Sequence, residues 1–332
     1  MFRRVRTVAA ALVLGLTGSL MATAPGAGAD PEDPSDQTGG LISRVVTTPL
    51  GDVTAYWTKQ RRASAVPMDA VVRGGADPTA SRAARPRGSD AVAANAKVPV
   101  PRSMGKLFFS DTDADYVCSA AVVKAKGRDQ VLTAGHCVHT GPSASGSPLP
   151  ILGGLFFTPH FFENFYFVSR YRDGKQPFGG WVGRQVHVST AWTEDEDFRH
   201  DQAILEMAPS EGGERIGDVV GMNRIAIGLG RKQAGVRVWG WPAERPYDGE
   251  TAWRCDGRTR PISGGDAVLP CSLNGGASGG PWLVDRTVES TRGKAKRSVI
   301  WAVTSRRFLG SPRLIAAPLP PEVRALRKAA AR

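Results

Sequence analysis

The 332-residue sequence has few cysteines and, beyond its N-terminus, no long hydrophobic run. Four Cys are too few for a disulfide-dense scaffold, and none stand in the Cys-x-x-Cys spacing of a cysteine-based metal site. No later run reaches the ~18 apolar residues of a membrane-spanning helix. Internal repeats and the phosphate-loop and dinucleotide-binding motifs are also lacking, so the sequence gives no support for a nucleotide-binding protein.

The composition still supports a folded protein. Hydrophobic residues make up 41% of the chain and aromatic residues 8%, which is enough to form a core. The net charge of +12 permits acidic partners. The basic residues are scattered, however, with many in the N-terminal segment and the tail, and no basic-aromatic motif accompanies them. We therefore expect no nucleic-acid partner.

Residues 1–29 have the features of an export signal. The chain begins with a basic segment (residues 1–6), continues with a short apolar stretch (8–20) and offers small residues for cleavage at 27–29. The alternative is an uncleaved membrane anchor. The signal predicts a secreted, extracellular protein with no membrane association after cleavage, and an oxidising environment in which the four Cys form two disulfides.

Residues 30–102 differ in character from the rest of the chain. Residues 30–40 are rich in Pro, Asp and Gly, as linkers are. Residues 41–56 alternate weakly, as a pair of short strands does. Residues 63–97 consist mainly of Ala, Arg, Pro and Ser, with few large apolar side chains to bury. We interpret this region as a pro-segment, and the alternative is a mobile leader.

From residue 98 onwards the sequence favours β-structure. Short apolar, often β-branched or aromatic runs are separated by Gly, Pro and charged residues, which predicts an all-β barrel or sandwich. The runs are residues 105–109, 117–123, 130–134, 165–171, 181–188, 203–207, 225–229, 236–241, 282–285 and 299–304. Residues 319–332 are predicted to form a basic C-terminal helix or tail, with Pro near its start.

The first motif that could take part in catalysis is a serine between glycines. Ser278 lies within Gly-Gly-Ala-Ser-Gly-Gly-Pro at residues 275–281. Glycines allow a tight turn that approaches a substrate closely and directs backbone N–H groups at one point, as an oxyanion hole requires. The alternative is a glycine-rich surface turn.

The second motif is a histidine beside a cysteine at the end of a β-like run. His136 precedes Cys137, and Cys118 lies on the preceding run. A Cys118–Cys137 bridge would hold the backbone beside His136 and would contribute roughly 3 kcal/mol in the chain-entropy account. The other four histidines have no such neighbour.

The third motif is an aspartate that begins an apolar strand. Asp201 is followed almost at once by Ala203, Ile204 and Leu205. A carboxylate at that point can be buried and can accept a hydrogen bond from a histidine, whereas Asp195 and Asp197 are better interpreted as solvated. The chain order His, Asp, Ser is one of the known arrangements of a catalytic triad.

Together these motifs resemble the secreted bacterial trypsin-like (chymotrypsin-fold) serine endopeptidases, including their glutamyl-endopeptidase-like branch. The matching segments are residues 133–137 (Thr-Ala-Gly-His-Cys), Asp201 with residues 203–205, and residues 276–281 (Gly-Ala-Ser-Gly-Gly-Pro). The resemblance implies a peptidase domain at 103–318 made of two six-stranded Greek-key β-barrels, at about 104–210 and 215–318. It also implies protein or peptide substrates, a monomer, and no metal or organic cofactor.

The resemblance further implies a role for each site residue. Ser278 would be the nucleophile, His136 the base and Asp201 its orienting carboxylate. The N–H groups of Gly276 and Ser278 would form the oxyanion hole, and Ser305 would support Asp201 from behind. The alternative is a catalytically silent module of the same fold that binds an acidic partner; its usual mark, loss of a triad residue, is not found here.

Two positions depart from the family pattern. Ala277 stands where many animal relatives have an Asp that pairs with a newly cut N-terminus, so any pro-segment should act by blocking the site or assisting folding. The second cysteine pair, Cys255 and Cys271, is placed differently from the bridge of many relatives. A Cys255–Cys271 disulfide would brace the chain leading to Ser278 and the wall of the substrate pocket.

Substrate preference is indicated only indirectly. Ser272, six residues before Ser278, occupies the place where trypsin has a carboxylate that selects Lys or Arg, so a trypsin-like preference is disfavoured. Ser305 and Arg306 lie in a segment that resembles the strand lining the pocket. An inward-facing Arg306 or Arg307 would favour an acidic substrate side chain, and the alternative is two solvated arginines.

Overall fold

The computed structural model describes residues 40–68, 70–72, 99–112, 114–142, 158–290, 293–308 and 311–331. All of them belong to one compact unit, Thr38–Arg332. The predicted signal peptide and most of segment 63–97 lie outside the described residues. Within the described ranges, no helix is long and apolar enough to cross a membrane.

The described residues form seventeen strands and five short α-helices. The strands are β1 (Leu41–Val45), β2 (Val66–Pro67), β3 (Ala70–Val72), β4 (Met104–Ser110), β5 (Asp115–Val122), β6 (Gln130–Thr133), β7 (Glu163–Ser169), β8 (Trp181–Ser189), β9 (Ala203–Met207), β10 (Arg224–Ile225), β11 (Val236–Gly240), β12 (Trp253–Gly257), β13 (Arg260–Pro261), β14 (Ala267–Pro270), β15 (Pro281–Ser290), β16 (Gly293–Phe308) and β17 (Arg313–Pro318). The helices are α1 (Leu50–Tyr56), α2 (Lys59–Ser64), α3 (Thr190–Thr193), α4 (Ile216–Val220) and α5 (Val323–Ala329).

The first sheet closes into a six-stranded barrel. Its strands follow the order β7, β4, β5, β6, β9, β8, and β8 pairs with β7 to complete the circle. Side chains that alternate along β4 and β7, among them Leu107, Phe109, Phe165 and Phe167, fill its interior. Two N-terminal strands extend this sheet: β1 pairs with β8, and β2 pairs with β5.

The second sheet curls into a half-barrel. Its order is β12, β11, β15, β16, β17, β14, β13, and its two ends are not joined by strand pairing among the described residues. The Cys255–Cys271 disulfide links β12, one edge of the sheet, to the residue that follows β14, the strand next to the opposite edge strand β13. The all-β, chymotrypsin-like architecture is therefore confirmed, and so is the short C-terminal helix, which is α5.

The N-terminal segment is docked by a buried aromatic side chain. Val53 of α1 and Trp57, the residue that follows the helix, are both fully buried. The Trp57 ring packs against Phe108 at 5.4 Å between centroids, and its indole N–H donates to the carbonyl oxygen of Asn164 at 2.5 Å. The prediction of two short strands at 41–56 was therefore wrong for its second half, where residues Leu50–Tyr56 form α1.

Candidate functional site

His136 is held at the end of β6 by a short turn and a disulfide. Residues Gly135–Cys137 form a 3₁₀ turn, and Cys137 is bonded to Cys118 of β5. The Cys118 and Cys137 Cα atoms are 6.3 Å apart, so the bridge fixes the backbone directly beside the histidine. Both predicted disulfides are present in the structure.

Asp201 is fully buried and accepts three hydrogen bonds. Its Oδ2 is 2.9 Å from His136 Nδ1 and 2.7 Å from the donating hydroxyl of Ser305, and its Oδ1 accepts the His136 backbone N–H at 2.9 Å. Burial alone would raise the pKa of Asp201, but the charge of His136 and these hydrogen bonds outweigh it and hold the pKa below its ordinary value. Asp201 is therefore an ionised acceptor that fixes the orientation of the His136 ring.

The loop carrying Ser278 connects the two sheets. The Ser278 carbonyl accepts the N–H of Ser119 from β5 at 2.7 Å, and the N–H of Gly279 donates to Thr304 of β16 at 2.8 Å. Gly279 has φ +76°, and a Cβ there would overlap the Thr133 side chain. Only glycine fits at this position, because the loop packs against the end of β6 that leads to His136.

Ser278 and His136 lie on segments that contact each other. His136 Nε2 is buried and has no hydrogen-bond partner among the described residues, so no bond joins it to the Ser278 hydroxyl. Ser278 is itself 2% exposed. A histidine bound to a carboxylate through Nδ1 keeps Nε2 as the atom able to accept a proton.

Two backbone N–H groups of the same loop are candidates for an oxyanion hole. The N–H of Ala277 donates to the Asn274 carbonyl oxygen at 3.0 Å, whereas the N–H groups of Gly276 and Ser278 have no acceptor within the described part of the chain. Gly276 has φ +92°, which orients the peptide in a way that non-glycine residues rarely adopt.

The side chain of Ala277 packs in the interior of the second sheet. Ala277 is fully buried within the apolar cluster of that sheet, and a Cβ on Gly240 would come within 2.7 Å of its methyl group. This position therefore has no carboxylate to pair with a new N-terminus.

The structure places the three candidate pocket residues in different surroundings. Ser272 Oγ is 2.7 Å from the Tyr247 hydroxyl, so position 272 presents a hydroxyl pair rather than a carboxylate. Ser305 is fully buried and donates to Asp201. Arg306 forms an ion pair with the buried carboxylate of Asp266 and has a side chain 13% exposed.

Arg307 also forms an intramolecular ion pair. Its guanidinium is 2.6 Å from Glu244 Oε2, with 18% of the side chain exposed. Neither Arg306 nor Arg307 is therefore a solvated arginine. No local pattern in the sequence marks Asp266 or Glu244, because each lies far along the chain from its arginine and only the fold brings them together.

One cluster of potential metal ligands lies at the site. Cys118, His136 and Cys137 have ligand atoms within 4.8 Å of one another. The two sulfur atoms are joined in a disulfide, so neither is a thiolate able to bind a metal. This cluster does not fit a metal ion.

The architecture and this site geometry define the class of protein to which the chain is similar: its fold is chymotrypsin-like, and its structural neighbours include bacterial serine proteases. Anisep, a protease from Arthrobacter nicotinovorans, shares 26% identity with a TM-score of 0.59, over 72% of this chain and 99% of that one. The thermostable serine protease AL20 from an extremophilic microorganism shares 28% identity with a TM-score of 0.56, over 69% and 97%.

A Glu endopeptidase is similar in fold alone. It shares 16% identity with a TM-score of 0.53, over 74% of this chain and 99% of that one. No protein-family model matches the chain, and no curated protein sequence matches it. The similarity therefore comes from structure and supports a protease of this fold.

Proposed function

We propose that the protein is a secreted serine endopeptidase that hydrolyses peptide bonds through Ser278, His136 and Asp201. The observation that carries this proposal is the fixed His136 ring, bound through Nδ1 to a buried carboxylate and with Nε2 unoccupied. That arrangement prepares Nε2 to take the proton of a serine hydroxyl as it attacks a carbonyl carbon. Ser278 lies on the loop packed against the segment leading to His136.

The proposed mechanism has two acyl-transfer steps. His136 takes the proton from Ser278 as the serine oxygen bonds to the peptide carbonyl carbon, and it then gives that proton to the leaving amine. Asp201 holds the tautomer and stabilises the imidazolium. Water, deprotonated by His136, then releases the acyl group and restores Ser278.

The oxyanion formed in each step would be bound by the N–H groups of Gly276 and Ser278. Both lack an acceptor within the described residues, while their neighbour Ala277 is already bonded. Each such donor contributes about 3–4 kcal/mol to transition-state stabilisation. The cost of arranging them is met by the fold, because Gly276 is already held at positive φ.

A mechanism-based label tests the proposal. A serine-directed phosphonylating reagent, incubated with the purified mature protein, is expected to form one adduct, and mass mapping is expected to place it on Ser278. The Ser278→Ala variant should not be labelled. Folded, leader-free protein without an adduct on Ser278 would favour the rival function, a binding module of the same fold for an acidic partner.

We also propose that residues 40–72 keep the enzyme latent until they are removed. The segment is anchored through Trp57, and each of its last two strands pairs with a strand that binds the Ser278 loop. β2 pairs with β5 at Tyr116 and Val117, close to Ser119, whose N–H donates to the Ser278 carbonyl oxygen. β3 pairs with β16 at 306–308, close to Thr304, whose carbonyl oxygen accepts the N–H of Gly279.

These strand pairings would keep the enzyme inactive because a strand edge that is already paired cannot bind a substrate peptide. An extended peptide binds an open strand edge through main-chain hydrogen bonds. β5 and β16 both bind the Ser278 loop, and the N-terminal segment pairs with both strands close in sequence to the residues that bind it. Removal of residues 40–72 would expose both edges to a substrate.

A peptide added in trans tests this role. A synthetic peptide with the sequence of residues 40–72 is expected to inhibit the mature enzyme, with residual activity measured on a fluorogenic peptide. With Trp57→Ala, the peptide concentration that gives half-inhibition should rise at least about tenfold, since truncating a buried Trp costs ~3–5 kcal/mol. A scrambled peptide is the control, and equal inhibition by all three peptides, or by none, would refute the proposal.

The contacts also bear on specificity. A trypsin-like preference is not supported, because Ser272 presents a hydroxyl bonded to Tyr247. An acidic preference through Arg306 or Arg307 would require that side chain to leave Asp266 or Glu244. We therefore propose an endopeptidase whose cleavage-site preference does not depend on a free pocket charge.

A further inference from the structure

Arg306 contacts the triad from behind through the hydroxyl of Ser305. A β-bulge interrupts the register of β16 and β17 between Thr304 and Arg306, and bulges change the direction of a side chain. As a result, the Arg306 guanidinium lies 3.2 Å from Ser305 Oγ, the same atom that donates to Asp201. Arg306 therefore bonds to Ser305, and Ser305 in turn bonds to the carboxylate of Asp201.

The chemistry of these groups fixes the direction of both hydrogen bonds. A guanidinium can only donate, so Ser305 Oγ accepts from Arg306. The single hydroxyl proton of Ser305 then remains for Asp201, at 2.7 Å. The guanidinium therefore prevents the hydroxyl from turning its lone pairs toward the carboxylate.

Two further groups, Asp266 and Phe198, hold the guanidinium itself in place. Its other nitrogen pairs with Asp266, a fully buried carboxylate, and its Cζ lies 4.2 Å from the centroid of the Phe198 ring. Phe198 packs on Trp192 at 5.3 Å between centroids, and Trp192 lies 6.1 Å from the His136 ring. The arginine therefore contacts Phe198, and Phe198 in turn packs on Trp192, the ring beside His136.

Asp266 places a second negative charge near the triad. Burial raises the pKa of Asp266 above its ordinary value; the ion pair with Arg306 and the charge of Arg231 offset only part of this rise, and the charge of Asp201 adds to it. Its Oδ1 has no hydrogen-bond partner among the described residues, so Arg306 is the principal compensating group. The site therefore contains two carboxylates, Asp201 and Asp266, with one guanidinium between them.

We propose that Arg306 is a positioning residue of the triad, which directs the Ser305 proton at Asp201 and neutralises Asp266. The proposal rests on the proposed peptidase function. Loss of the positive charge makes the surroundings of His136 more negative and favours the imidazolium, which cannot act as a base. Loss of the Asp266 charge does the opposite.

These opposite effects provide the test. In protein secreted from the full chain and matured by the host, Arg306→Met is expected to shift the acidic limb of the kcat/KM–pH profile to higher pH by about 0.5 pH unit. Asp266→Asn is expected to shift this limb to lower pH by a similar amount, and the double variant should have its limb close to the wild-type position. kcat is expected to fall about tenfold in Arg306→Met, with KM nearly unchanged.

Two further variants separate positioning from structural damage. Arg306→Lys keeps the charge and should restore the acidic limb to within about 0.2 pH unit. Arg237→Met breaks the Arg237–Asp285 ion pair, which does not contact the triad, and should leave the limb in place. Circular dichroism and phosphonate labelling of Ser278 establish that each variant is folded and has a reactive serine.

The outcomes distinguish the two proposals. If the wild-type protein is not labelled at Ser278, the peptidase function itself fails. If labelling succeeds but Arg306→Met and Asp266→Asn shift the limb equally or not at all, the positioning role is wrong and the peptidase stands. An increase in KM confined to peptides with acidic residues would instead identify Arg306 as a substrate-recognition residue and would overturn the proposal.

Discussion

Replacement of Ser278 by alanine is expected to lower kcat for peptide hydrolysis by roughly 10⁶-fold. The methyl group supplies no oxygen to form the acyl-enzyme, and water in its place lacks the fixed geometry of the loop. The fold should survive, because the backbone bonds of this loop to Ser119 and Thr304 do not involve the hydroxyl. Initial rates on a chromogenic peptide, normalised to folded protein, measure the effect.

The chain contains a matched control for this variant. Ser263 precedes two glycines, as Ser278 does, but it lies exposed in the turn between β13 and β14. Ser263→Ala is expected to change kcat less than twofold. Retention of activity within tenfold of wild type by Ser278→Ala would refute the assignment of the nucleophile, whatever Ser263→Ala does.

Replacement of Asp201 by asparagine is expected to lower kcat by roughly 10⁴-fold with a small change in KM. The amide has one acceptor oxygen where the carboxylate accepts from the His136 ring, the His136 backbone and Ser305. Its NH₂ group would face the ring and favour the tautomer with the proton on Nε2, which cannot accept the serine proton. Steady-state kinetics at pH 7–9 measure the loss.

A solvated aspartate nearby serves as the comparison. Asp195 is exposed, in the polar run just before Asp201. Asp195→Asn removes the same charge without touching the imidazole and should keep kcat within twofold. If both variants lost activity equally, the effect of Asp201 would be one of general charge rather than of ring orientation.

Much of the fold could be predicted from local sequence. Apolar runs near β4, β5, β6, β9 and β11 are bounded by turn residues, so their strands were predicted closely. The long hairpin of β15 and β16 was predicted only in part. Its outer residues include charged ones, such as Arg286 and its cross-strand partner Arg297, so no apolar pattern marks this part of the hairpin.

The candidate site was predicted less completely than the motifs suggest. Ser278, His136 and Asp201 have local signals in glycines, a cysteine and an apolar strand, respectively. Asp266 has none, since its importance comes from burial beside an arginine forty residues later in the chain. The docking of the N-terminal segment also could not be predicted, because the Trp57 contacts with Phe108 and Asn164 depend on the closed barrel.

The buried methyl group of Ala277 has a consequence for the proposed removal of the N-terminal segment. In a protease that needs a newly formed amino group to pair with a carboxylate at this position, the cut must fall at one residue. Here the position is filled by a methyl group packed against Gly240. Molecules whose new N-termini differ, because different peptidases cut them, should therefore hydrolyse substrate equally well once residues 40–72 have been removed.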